Sequence, residues 1–143
     1  MIQLLTGIES TAAALNAERI RLEVTSQNIA NANTTRGLDG QPYKRQTVVF
    51  ETLLKQQQAA LGGGSLPQGV QVARIEKDKG PSRFIHIPGH PDANPDGMVA
   101  MPNVNIHEEM VDLMAASRAF EANLAVVKNS RSMAMQALQI GKR

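Results

Sequence analysis

At 143 residues and a formal charge of +2, the chain has room for one domain core and no charge excess that would mark a nucleic-acid partner. Aromatic residues make up 3% and cysteine is absent, which excludes a base-stacking platform, a disulfide framework, a thiolate zinc site and a cysteine nucleophile. The opening Met-Ile-Gln-Leu-Leu lacks a basic stretch and meets Glu9 before any long apolar run, so neither a Sec-type signal peptide nor direct membrane insertion is expected.

The first predicted element is a helix over Leu4–Ile29. Ile8, Leu15, Leu22 and Ile29 recur every seven residues, and a second stripe of Ala13, Ala17, Ile20 and Val24 falls on another face of the same helix. From Asn28 to Thr35 the chain is rich in Asn and Thr, whose short side chains bond nearby backbone and compete with helix. The helix should therefore end near Asn31–Asn33.

Residues 36–102 read as strands and turns. Tyr43–Phe50, Gly69–Ile75 and Ser82–Ile87 are rich in β-branched and aromatic residues and are candidate strands. Between the first two, Thr52–Leu61 with its Gln56-Gln57-Gln58-Ala59-Ala60 run suggests a short helix, closed by the breaker Gly62-Gly63-Gly64-Ser65. Pro88–Pro102 is an ordered, turn-rich connection in which Pro88, Pro91, Pro95 and Pro102 each fix φ and remove a donor.

A second long helix starts near Asn105, which with Glu108 has the spacing of a capping box. Met110, Ser117, Leu124, Arg131 and Leu138 alternate with Leu113, Phe120, Val127 and Ala134 in the three-four rhythm of a coiled-coil seam. Leu113 and Phe120 are the expected deep anchors. Val111, Met114, Ala115, Ala122 and Ala125 form a flanking stripe, and Gly141 is a plausible stop. Two helices can bury one stripe each against one another, not two, so the surplus apolar surface points to assembly. The fold class is α+β: long N- and C-terminal helices form a coiled-coil-like pair, with a small β-rich middle segment. The chain divides into 1–35, 36–102 and 103–143, and the middle segment is expected to fold marginally by itself.

Chemistry is scarce. Asp92-Ala93-Asn94-Pro95-Asp96-Gly97 has the start of a calcium loop, but its twelfth position is Asn103 where a bidentate Glu is needed. Turn-capping Asx residues account for the same pattern, and a substitution at Asp92 is expected to leave assembly nearly intact. His86, His90 and Asp92 read more simply as solvated side chains beside a turn than as a metal patch. Neither a nucleophile triad nor a phosphate loop is present, so no catalytic, cofactor or metal residue is assigned. A soluble helical adaptor and a calcium-binding secreted module are the alternatives to an assembling subunit.

The run Ser26-Gln27-Asn28-Ile29-Ala30-Asn31-Ala32-Asn33-Thr34-Thr35 resembles the N-terminal signature of the bacterial flagellar rod and hook proteins, and Tyr43-Lys44-Arg45-Gln46 with Val48-Val49-Phe50-Glu51 resembles the segment after it. Asn103-Val104-Asn105-Ile106-His107-Glu108-Glu109-Met110-Val111-Asp112 and Ala116-Ser117-Arg118-Ala119-Phe120-Glu121-Ala122-Asn123 are similar to the matching C-terminal signature. The signature positions are Asn28, Ala30, Asn31, Asn33, Thr34, Asn103, Asn105, Glu109 and Met110. The Pro88–Asn94 run and the short middle resemble the proximal-rod branch; the Arg36–Pro42 loop departs from the tight step of many relatives, and its length favours one short member of that branch over the other. The resemblance implies a non-enzymatic subunit of the flagellar basal body that passes through the type III export apparatus without a cleaved signal. It would polymerise in the periplasm with itself and with the rod proteins FlgB, FlgF, FlgG and FliE. Subunit contacts would then fall on Ile8, Leu15, Leu22, Ile29, Met110, Leu113, Phe120, Leu124, Val127 and Leu138. Polar seam positions such as Thr11, Glu18, Ser117 and Arg131 would set register.

Overall fold

A computed structural model of the chain describes residues 2–37, 39–53 and 69–141. Helix α1 covers Ile2–Ala30 and helix α2 covers Ile106–Ile140, 29 and 35 residues. At the usual rise they are about 43 and 52 Å long. Arg21 pairs with Asp112 and Asn28 with Glu109, so rising numbers on one helix meet falling numbers on the other and the pair is antiparallel. None of the described helices is long and apolar enough to cross a membrane.

The helix ends follow local chemistry. Asn105 caps α2 by accepting from the His107 N–H at 3.2 Å, while its side-chain amide donates to Glu108 at 2.9 Å. Glu108 thus reaches the cap's side chain, not its backbone as in the usual capping box. Gly141 closes the helix with its N–H on the Ala137 carbonyl. At the end of α1 the Asn31 N–H and side-chain amide both donate to the Gln27 carbonyl, taking a group the helix leaves open.

Among the described residues the middle holds two separate two-stranded antiparallel sheets. Strand β1 (Gln46–Leu53) pairs with β2 (Gly69–Lys77), and β3 (Arg83–His86) pairs with β4 (Met98–Met101). Val49 faces Arg74 and Phe50 faces Val72, which leaves Ala73 as the extra residue of a β-bulge. Thr52 and Leu53 continue β1 where the sequence suggested a helix, and the rest of that stretch with the Gly62–Ser65 breaker lies outside the described residues. Strand β1 starts three residues later than expected because the preceding backbone is engaged elsewhere. The Tyr43 N–H donates to Thr34, the Arg45 N–H to Asn103 and the Arg45 carbonyl accepts from Asp78.

Residues 87–97 join β3 to β4 through three consecutive hydrogen-bonded turns, Ile87–His90, His90–Ala93 and Asn94–Gly97. Pro88, Pro91 and Pro95 each occupy the second position of one turn, where a φ near −65° is wanted. Gly97 has φ +73, and a Cβ there would meet the His86 ring at 2.9 Å, so only glycine closes this loop without strain. Strand β4 was not expected from sequence; Met98–Met101 lies inside the stretch read as turns. The small core runs from Ala17 and Val24 on α1 through Ala32, Val99 and Val104 to Ala116 on α2.

Candidate functional site

Two surfaces and one polar cluster carry what the sequence singled out. On α2, Leu113, Phe120, Val127 and Ala134 are half-buried, and they alternate with Glu109, Ala116, Asn123 and Ser130 on the same face. The expected partner row is elsewhere: Met110 is 48% exposed, Leu124 38% and Leu138 61%, with Arg131 exposed beside them. A one-residue step turns a helix by about 100°, which separates the two rows. The inward row holds a carboxylate, an alanine, an amide and a hydroxyl, so hydrophobic spacing favoured its greasier neighbour.

On α1 the same division holds. Ala17 and Val24 are buried and Ala13 and Ile20 half-buried, so the second stripe supplies the inner face. Ile8, Leu15, Leu22 and Ile29 keep their seven-residue spacing on a different face and are half-buried. Thr11 donates to the Gly7 carbonyl of its own helix at 2.7 Å. Glu18 lies near Arg21 at 3.9 Å, and one of its carboxylate oxygens is buried without a hydrogen-bond donor.

The polar cluster is centred on Asn28, 1% exposed at the end of α1. Its amide nitrogen donates to the Gln46 carbonyl at 2.8 Å and to Glu109 Oε2 at 2.9 Å. Its oxygen accepts from Tyr43 Oη at 2.8 Å and from the Gln46 N–H at 2.9 Å. Both donors and both acceptor sites of the side chain are thereby used. Glu109, also 1% exposed, takes Arg45 Nε on its second oxygen. Arg45 continues to Asp112 at 3.5 Å, and Asp112 to Arg21 at 3.5 Å. One clasp therefore ties α1, β1 and α2 together.

The charges are set by this geometry. The hydrogen bond to Glu109 raises the Arg45 pKa above its already high ordinary value. Burial, then the Glu109 charge, pushes the Tyr43 hydroxyl up. The carboxylate of Glu109 sits in the first turn of α2, where the helix dipole favours a negative charge. A cleft of about 240 Å³ beside the clasp is lined by Arg21, Val24, Arg45, Val48 and Phe50.

Of the nine signature positions, Asn28, Asn103 and Glu109 join this cluster. Asn28 and Glu109 are its centre, and Asn103 accepts the Arg45 N–H at 2.9 Å. Asn31 and Thr34 build the turn after α1, with the Thr34 hydroxyl on Asn31 at 3.2 Å. Asn105 caps α2, while Ala30, Asn33 and Met110 are exposed. Sequence reasoning saw Tyr43, Arg45, Gln46 and Asp112 only as parts of motifs and did not join them into one cluster.

The family described as flagella basal body rod protein matches residues 8–36, and the C-terminal family of flagellar basal body rod FlgEFG proteins matches residues 96–140. The flagellar basal-body rod protein FlgC of Borreliella burgdorferi is 42% identical over 96% of this chain and 97% of its own length. Its namesake in Bacillus subtilis is 38% identical, covering 95% and 97% of the two chains, and that of Salmonella typhimurium 37%, covering 97% and 98%. The chain belongs to the flagellar basal-body rod protein family.

As a rod-family member it is a structural subunit, not an enzyme, which displaces the adaptor and calcium-module alternatives. The two matched regions contain both halves of the clasp, Asn28 in the first and Glu109 in the second. Asn28 and Glu109 thus hold the two terminal helices in register with each other, and Asn28 holds them to β1.

Proposed function

We propose that this rod subunit belongs to the proximal, torque-transmitting part of the shaft and polymerises through the outward faces of its terminal helices. The observation that carries the reading is the apolar surface left open on α2, where Met110, Val111, Met114, Leu138 and Ile140 are all exposed. Inward residues satisfy the intrachain pair; these keep much of their surface open among the described residues. A head-to-tail interface that does not close on itself yields a helical tube, and a second apolar face per helix is what such a tube requires. Ile8, Leu15, Leu22 and Ile29 would supply the matching surface from α1. Leu113, Phe120 and Val127 act mainly within the subunit.

In this reading the subunit is exported through the flagellar type III apparatus without a cleaved signal and assembles in the periplasm beside FlgB, FlgF, FlgG and FliE. Its family membership and near-complete coverage of FlgC relatives support that placement. The test uses the absence of native cysteine. Cysteines introduced at Met110 or Leu124 should cross-link to neighbouring subunits in isolated basal bodies, and cysteines at buried Ala116 should not. Equal labelling of Met110→Cys by a soluble maleimide in free and assembled protein would refute the outward-face reading.

A further inference from the structure

Besides the buried Val99 of β4, side-chain hydrogen bonds at two places hold the β3–β4 hairpin to the rest of the described chain. At its base, Asn103 just after β4 takes the Arg45 N–H at 2.9 Å, and Lys44 donates to the carbonyl of Gly80 just before β3 at 2.7 Å. At its far end the holding group is Asp92, in the middle one of the three proline turns. Asp92 Oδ2 accepts from the Thr35 hydroxyl at 2.9 Å across 57 positions of sequence, and Oδ1 lies 3.7 Å from Arg36. The Asp92 N–H donates to His90 Nδ1 at 3.1 Å, which orients the carboxylate from its own loop.

These partners use up the carboxylate that the sequence offered to a calcium loop. The Thr35 bond is the stronger of the two, since a hydroxyl on a carboxylate is charge-assisted, whereas Arg36 is 71% exposed and its pairing is screened. Thr35 follows directly on the turn that ends α1, and that turn is itself closed by Asn31 and Thr34. The far end of the hairpin is therefore referred to the end of the helix pair.

We propose that Asp92 is a positioning residue: by tying the β3–β4 connection to Thr35 and Arg36, it fixes the tilt of the hairpin against the helix pair. The base bonds and buried Val99 hold the strands, and the Asp92 bonds hold the connecting turns, whose position they alone refer to the end of α1 by side-chain hydrogen bonds among the described residues. Phe84 on the hairpin is 57% exposed, so the tilt decides where an apolar side chain is presented to a neighbouring subunit. That consequence rests on the rod-subunit reading. The positioning itself does not.

The test is a distance measurement on the isolated full-length chain, with nitroxides at Ser26→Cys on α1 and Phe84→Cys on β3, both exposed sites. The parent should give one narrow peak. Asp92→Ala and Thr35→Val should each lose that peak to a broad distribution, while Asp92→Asn should keep it, because its amide oxygen still accepts the Thr35 hydroxyl. A narrow, unshifted peak in Asp92→Ala overturns the proposal. Should Asp92→Ala fail to fold by circular dichroism, Thr35→Val decides by the same criterion.

Discussion

Asn28 and Glu109 stand 81 positions apart, at the end of the first helix and the start of the last, and their side chains meet at 2.9 Å with almost no exposure to solvent. The bond joins the last turn of one terminal helix to the first turn of the other. Its strength comes from completeness: Asn28 has no polar atom left over, and Glu109 has a donor on each oxygen.

Removing one partner should therefore cost far more than one average hydrogen bond. Glu109→Ala leaves Arg45 and the Asn28 amide without their acceptor and should destabilise by about 3 kcal/mol, as should Asn28→Ala. Urea unfolding of the two single variants and the double variant checks this. The double should lose clearly less than the sum, because both changes break the same bond.

Alkali should loosen the same cluster. The Tyr43 hydroxyl is held above its ordinary value, so the folded state keeps a proton that the unfolded chain releases. Stability is thus intact below the ordinary tyrosine value of about 10 and falls as pH rises through the raised folded value. As Tyr43 is the sole tyrosine and there is no tryptophan, ultraviolet absorbance reads its ionisation directly. Native protein should titrate later than denatured protein, and Tyr43→Phe should flatten the alkaline fall in stability that the tyrosine contributes.

The two helix faces should separate by phenotype. Leu138→Asp on the open face should leave the melting temperature of the free subunit unchanged and prevent rod incorporation. Phe120→Asp lies on the inner row and should already weaken the free subunit, by about 3 kcal/mol or more for a charge in place of an apolar contact. Thermal melts of purified protein beside a motility assay tell the two apart.

Residues 36–102 produced without the helices should give no dispersed amide spectrum, contrary to the marginal independent fold that their strand content suggests. Among those of them whose burial is described only Val99 and Pro102 are buried, and the clasp loses Asn28 and Glu109. A dispersed spectrum from that fragment would mean the clasp is dispensable to the strands.

Glycines give opposite signs at two places. Gly7 in α1 has nothing within 4 Å of an added Cβ, so Gly7→Ala should stabilise the helix by about 1 kcal/mol. Gly97→Ala forces a methyl against His86 at positive φ and should cost about 1–3 kcal/mol, read by chemical denaturation.

What the sequence made legible was periodic or locally punctuated. Heptad spacing revealed both helices, Asn105 announced the start of α2 and the Asn-rich run the end of α1. Strand β4 was hidden because its four residues are bracketed by Gly97 and Pro102, and turn signals outweighed a short apolar run. The inner row of α2 was misjudged for a different reason. Glu109 and Asn123 are polar, and nothing local shows that Glu109 will be buried. Only its partners Asn28 and Arg45, more than sixty positions away, make that burial affordable. Tertiary polar networks leave no periodic trace.

The three proline turns between β3 and β4 also act before the chain has folded. Each ring restricts φ in the unfolded ensemble as well as in the native one, so less backbone freedom remains to be lost when the loop closes; a proline at a compatible site typically stabilises by about 0.4–1 kcal/mol in this way. The residues between β3 and β4 are thus drawn from a narrowed set of conformations at the outset. Shape in this hairpin is partly stored in the disordered chain, where no native contact exists to hold it.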